Sequence, residues 1–199
     1  MPWVEILVSV ISASATLLAV VLKNYYTKSK SHNIEKRIKR DVVLYKILTD
    51  IRKKFNFSRV AVAQFHNGNK YYTGEPIQKF SISFETSSPG IPQLSSSMKD
   101  IPLGTITYVL SNVSANGFFC VENLSKCGND NFANLMRAYD EQAYYVFKIE
   151  DDSGWVGMLI ADYCKVSEPL TPVSCEWLRV QASRIATLLT LSNQTYEVE

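Results

Sequence analysis

The feature that most constrains this chain is its opening apolar run, Trp3 to Leu22, interrupted only by Glu5 and small hydroxyl residues and followed at once by a basic segment. About 20 such residues, rising ~1.5 Å each in a helix, cross roughly 30 Å of hydrocarbon. Residues 3–22 are therefore expected to form a transmembrane helix that serves as a signal-anchor. A cleaved signal peptide would open on a basic stretch, and Met1-Pro2-Trp3 has none, although Ala13-Ser14-Ala15 imitates a cleavage site. A buried core helix would show a polar stripe at period 3.6, whereas Ser and Thr are scattered here. Glu5 lies near enough to the end to reach the interface.

Charge sets the expected orientation. Lys23, Lys28, Lys30, Lys36, Arg37, Lys39 and Arg40 follow the helix, and no Lys or Arg precedes it. That asymmetry favours a single pass through an inner or plasma membrane, with the N-terminus outside and the following domain cytoplasmic. Residues 23–40 form a basic juxtamembrane linker and the start of a helix; with Glu35 their net charge is +6, which anionic lipid headgroups attract.

From residue 41 onward there are 14 basic and 17 acidic residues. Nucleic acid is not an expected partner for a segment of that balance. Cys120, Cys127, Cys164 and Cys175 form no CxxC pair and the chain has two histidines, so no metal site is expected. In a reducing compartment the cysteines are thiols; in an oxidising one a Cys120–Cys127 bridge is open. No residue identifies a cofactor.

Asn33 can cap a helix with apolar residues at Ile34, Ile38, Val42, Tyr45, Leu48 and Phe55, ending near Asn56. Its charged first half reads either as a short coiled coil with a second copy or as a solvated connector. Arg59 to Phe65 is nearly all apolar, as in a central strand covered on both faces, and His66-Asn67-Gly68-Asn69 is expected to break it. Lys79 to Glu85 alternates Phe80, Ile82 and Phe84 with Ser81, Ser83 and Glu85, a half-buried strand with one wet face. Helical spacing returns over Ile101–Leu110, then a short strand at Phe118–Val121, a helical turn or two over Phe132–Tyr139, and a strand at Tyr144–Ile149. Asp151-Asp152-Ser153-Gly154 makes a hairpin turn into Trp155–Tyr163, and a last helix from near Pro172 carries Trp177, Val180, Ile185, Leu188 and Leu189.

This order resembles a GAF domain over about Asp41 to Ser192, with 193–199 as a tail. Trp155-Val156-Gly157-Met158-Leu159 resembles the family's penultimate-strand pattern, and Leu178-Arg179-Val180-Gln181-Ala182-Ser183-Arg184-Ile185-Ala186 its closing helix. The resemblance implies an α+β class: a GAF/PAS-like sheet of five or six antiparallel strands packed against the first and last helices, with a small-molecule pocket on the opposite face. Candidate ligand-binding residues are His66, Asn67, Tyr71, Tyr72, Lys79, Ser81, Ser83 and Glu85 from one side, and Asn123, Tyr139, Asp140 and Glu141 from the other. Asn129 to Glu141 loosely resembles the Asn, Phe, Asp and Glu spacing of cyclic-nucleotide-binding members. Two plainer readings stay open: Asp140-Glu141 as a solvated loop, and His66 and Asn67 as residues that satisfy their own turn.

No GxSxG, HExxH or phosphate-binding Gly-rich loop is present, so no catalytic residue is expected. Sulfoxide-reducing GAF chemistry would need paired thiols, with Cys120 and Cys127 the only candidates. The expected function is a membrane-anchored ligand-binding, sensory or scaffold module that works through a protein partner or as a homodimer or higher homo-oligomer. The alternative is a pore former. Ser9, Ser12, Ala13, Thr16 and Ala19 line one helix face, where small residues favour packing in lipid. One membrane helix before an α/β domain, with the Gln181-Ala182-Ser183-Arg184-Ile185 run, also resembles holins of the T-even phage type, from which the basic cluster's side of the membrane sets this chain apart.

Overall fold

The computed structural model describes residues 34–190 except 129, 153, 166 and 167. The expected membrane helix, its packing residues Ser9, Ser12, Ala13, Thr16 and Ala19, the lipid-facing Lys23, Lys28 and Lys30, and the tail lie outside the described residues. No helix among the described residues is long and apolar enough to cross a membrane. The chain divides into two compact units, Met1–Asp41 and Val42–Glu199. In the first, residues 34–41 are helical, Ile34 and Ile38 are exposed, and Arg40 pairs with Asp41 at 2.6 Å.

The second unit opens with helix to residue 55 (α1 over 34–55). Leu44, Ile47, Leu48 and Ile51 are its buried face, at helical spacing, while Val42 and Tyr45 are exposed. The helix stops where the sequence suggests: Asn56 takes φ +52° and the Phe57 N–H donates to the Arg52 carbonyl at 3.0 Å, the Schellman closure that Asn tolerates at this position.

Six strands follow: β1 Arg59–Lys70, β2 Pro76–Ser87, β3 Ile101–Pro102, β4 Phe118–Val121, β5 Ala143–Asp151 and β6 Gly154–Tyr163. They form one antiparallel sheet in the order β3-β2-β1-β6-β5-β4, so β1 is central as expected. Helix α4, Pro172–Thr190, packs with α1 on one face around Val60, Val62, Phe147, Leu159 and Tyr163. Val180, expected on its apolar face, is instead exposed, and Leu178, Ala182, Ile185 and Leu189 are buried.

The other face carries a loop layer: residues 88–100, a 3-10 turn Leu103–Ile106, α2 Thr107–Asn116, a 3-10 turn Leu124–Lys126 and α3 Asn131–Arg137. Leu94, Met98, Val109, Phe132 and Met136 meet Ala61, Ala63, Phe80, Tyr144 and Met158 there. The expected helix over Ile101–Leu110 is displaced because Pro102 pairs as strand with Lys79; α2 starts at Thr107 and runs to Gly117, whose φ of +76° ends it. Asp130 caps α3 by accepting from the Ala133 N–H at 3.0 Å.

Two irregularities change the expected strand faces. His66-Asn67-Gly68-Asn69 does not break β1: His66 stands opposite Lys79 and Asn67 opposite Gln78, and the ribbon turns only at Tyr71–Gly74. A bulge lies between Val62↔Phe84 and Ala63↔Ile82, with Ser83 as the extra residue. One inserted residue shifts all later side chains to the other face. Phe84 therefore joins the helix-side core and Glu85, expected on a wet face, is buried.

Candidate functional site

Arg59 opens β1 directly opposite Asp162 of β6, which is itself opposite Tyr144 of β5. Residues opposite one another in a ladder share a face, so the row points into the loop layer. The Arg59 Nε–H donates to Asp162 Oδ2 at 3.0 Å and Oδ1 at 3.2 Å, one Nη to Glu141 Oε1 at 2.5 Å, and the other to the Pro92 carbonyl at 2.9 Å. The side chains of Arg59 and Glu141 have no exposed surface. Glu85 joins from β2, accepting the Leu94 and Ser95 N–H groups at 2.8 and 2.9 Å, and the Tyr139 ring lies 5.8 Å from the guanidinium carbon.

Two of the expected ligand residues, Tyr139 and Glu141, thus lie at a buried arginine that ties the loop layer to the sheet, and a third, Glu85, holds the loop backbone at Leu94 and Ser95. Arg59 and Asp162 were not among the sequence candidates, yet each is a charge inside an otherwise apolar strand, which is the signal that could have found them.

Burial drives the electrostatics here. It raises the Glu141 carboxyl well above its ordinary range, helped by Asp162, and Arg59 only partly opposes it. Burial also lifts Asp162, to about 6, against the pull of Arg59. Asp162 keeps both oxygens on the Arg59 Nε–H and accepts from the Cys164 thiol at 3.5 Å, so Glu141 is the better holder of a shared proton. Burial, then Asp162, pushes that thiol up to about 12. Glu141 Oε2 and Tyr144 Oη are buried with no hydrogen-bond partner among the described residues, and burial raises the Tyr144 phenol.

A second group forms on the β1–β2 ribbon. The His66 Nε2 is 2.9 Å from Ser81 Oγ, which also accepts the Asp100 N–H at 2.9 Å, and Asp100 Oδ1 is 3.8 Å from the ring. Asp100 holds φ +58° to make this contact. Lys79 crosses Gly68, where an added Cβ would lie 2.7 Å from its Cε.

The other expected residues scatter. Tyr71 and Tyr72 are exposed at the ribbon tip, and Asn67 pairs with Gln78 there. Ser83 donates to the Val62 carbonyl, Asn123 accepts from the Ser125 N–H, and Asp140 is exposed at φ +58°. Of the pair Asp140-Glu141, only Asp140 fits a solvated loop.

All four cysteines are free. Cys120 packs against the helix-side core and Cys127 against the loop-side core, so the sheet separates the two candidates for a bridge. Among the described residues no cluster of His, Cys, Asp or Glu could hold a metal ion.

No protein-family model and no curated protein sequence matches the chain. Solved structures do. The blue-light absorbing form of the PixJ GAF domain from Thermosynechococcus elongatus is 18% identical with a TM-score of 0.62, over 80% of this chain and 92% of that one. A GAF domain from a GAF domain/HD domain protein of Geobacter sulfurreducens is 11% identical with a TM-score of 0.59, over 78% of this chain and 94% of that one. A far-red absorbing protein with bound biliverdin IXα is 11% identical with a TM-score of 0.59, over 81% of this chain and 99% of that one. At such identities the likeness is one of architecture, and the sheet with its flanking helices and loop layer has the fold of a GAF domain.

Proposed function

We propose that the chain is a membrane-tethered sensory or scaffold module without catalytic output, which takes a small polar molecule beneath its loop layer and acts through a protein partner or a second copy. The observation that carries the ligand is the pair of buried, unpartnered atoms Glu141 Oε2 and Tyr144 Oη. They lie on the sheet face where the GAF resemblance puts a small-molecule pocket. Leaving such an atom unsatisfied costs about 1–3 kcal/mol, and a bound molecule that pairs with both recovers that energy.

One structure of this fold carries biliverdin. Here Leu94, Met98, Phe132 and Met136 are fully buried in the layer, so the ligand class is much smaller than a tetrapyrrole. Tethering rests on Trp3–Leu22 and the basic segment after it. Self-association is supported by the helical spacing of Ile34, Ile38, Val42 and Tyr45 in the sequence and by the exposure of each within its own unit.

Native mass spectrometry of the full chain released from detergent micelles tests the ligand. The expected result is a non-covalent adduct smaller than a tetrapyrrole, with affinity about tenfold weaker in Tyr144→Phe. A chain that stays adduct-free in the presence of host-cell metabolite extract overturns ligand binding. Release from membranes by alkaline carbonate without detergent overturns the anchor.

A further inference from the structure

The two edges of the sheet are guarded differently. β3 is two residues long and contains Pro102, which cannot donate to an added strand. β4 reads Phe118-Phe119-Cys120-Val121, with no proline, lysine or bulge, and pairs only with β5. Its outward backbone groups make no hydrogen bond to other described residues.

Beside this edge, on the α4 side, a hollow of about 330 Å³ opens among Phe118, Cys120, Tyr145, Leu170, Pro172 and Cys175. Arg179 separates it from a second hollow of about 300 Å³ that reaches Lys148, Glu150, Asp151 and Asp152. Around the two hollows stand Glu122, Glu150, Asp151, Asp152 and Glu176 against Lys148 and Arg179, a net charge of −3. Both cations are already paired, Lys148 with Glu150 at 2.7 Å and Arg179 with Glu176 at 3.5 Å. An open edge, an apolar hollow and an acidic rim thus lie together.

We propose that β4 receives an extended basic peptide segment of a partner protein, which adds as a seventh strand to the six of the sheet. Main-chain hydrogen bonds to Phe118–Val121 hold the segment, and alternate side chains face α4. One of these, apolar, fills the hollow at Cys120 and Cys175; the next on that side, Lys or Arg, lie along Glu150, Asp151 and Asp152. A second copy is disfavoured, because pairing two β4 edges would bring two acidic rims together.

The inference rests on the reading of the chain as a module that acts through a partner, and it is independent of the ligand under the loop layer. The Tyr144→Phe test can fail while this one succeeds, and the reverse.

The test uses the full chain in nonionic detergent and the fluorescein-labelled peptide Thr-Leu-Thr-Lys-Thr-Lys-Thr, with the Glu-for-Lys peptide as control. Anisotropy is expected to show saturable, salt-sensitive binding of the basic peptide, about tenfold weaker for the Asp151→Asn, Asp152→Asn, Glu176→Gln triple variant. Amide exchange over Phe118–Val121 should slow when the peptide is bound. These surface substitutions are expected to leave the melting temperature within a few degrees of wild type, so lost binding reports the rim. Three outcomes overturn the proposal: no binding, equal binding of the acidic peptide, or binding that leaves exchange in β4 unchanged. Concentration-dependent protection of β4 without peptide also overturns it, by assigning the edge to a second copy.

Discussion

Replacing Glu141 by Gln should remove a pH dependence that the wild-type fold carries. Glu141 and Asp162 both pair with one guanidinium, Arg59, in a site with almost no exposed surface. Two buried carboxylates against one cation leave an excess of negative charge, and binding a proton is the least costly relief. Burial, then Asp162, raises Glu141, which therefore holds its proton in the folded chain at pH values where an unfolded glutamate, with an ordinary pKa of about 4.3, has lost it.

Because the folded state binds more protons, the associated stability is fully present below about pH 4.3 and falls as pH rises toward the folded value, by up to about 1.4 kcal/mol per pH unit for one proton. From pH 5 to pH 7 that amounts to at most about 3 kcal/mol. Asp162, lifted to about 6, adds a shallower slope of the same sign, which loses its effect once the pH passes that value. Gln keeps the shape of the protonated acid and does not titrate. Urea unfolding followed by tryptophan fluorescence should show the wild-type midpoint falling more steeply as pH rises from about 5 than that of Glu141→Gln. Parallel curves for the two proteins would refute the assignment of the proton to Glu141.

Arg59→Met should be far more damaging at pH 7, by about 3–5 kcal/mol, because it leaves buried carboxylates uncompensated; the loss should shrink at pH 5, as urea midpoints at the two pH values will show. Gly157→Ala should lower the melting temperature by about 5–10 °C in a calorimetric scan, since an added Cβ would lie 2.2 Å from the Ala63 carbonyl oxygen and push β6 off β1. Tyr163→Phe should cost about 1 kcal/mol in urea unfolding, because its hydroxyl donates to the Phe55 carbonyl at 2.8 Å and closes the end of α1 onto the sheet.

What the sequence determined by itself is what local pattern encodes. The apolar run of Arg59–Phe65 required a strand covered on both faces, and β1 is central. Asp151 to Gly154 required a turn, and it joins β5 to β6. Asn56 ended the first helix because it accepts the left-handed conformation found there. The apolar Trp3–Leu22 and the basic residues after it are likewise a property of the sequence alone.

Only the tertiary structure decided the site. Alternation gives the two faces of a strand but not the phase after a bulge, so Ser83 sent Phe84 to the helices and buried Glu85. Arg59 meets Asp162 across 103 positions and Glu141 across 82, separations at which no local periodicity reports a partner. The charges look solvated when read along the chain because a charge is costly to bury alone; folding brings them together, and their mutual pairing is what lets the sheet and the loop layer close over them.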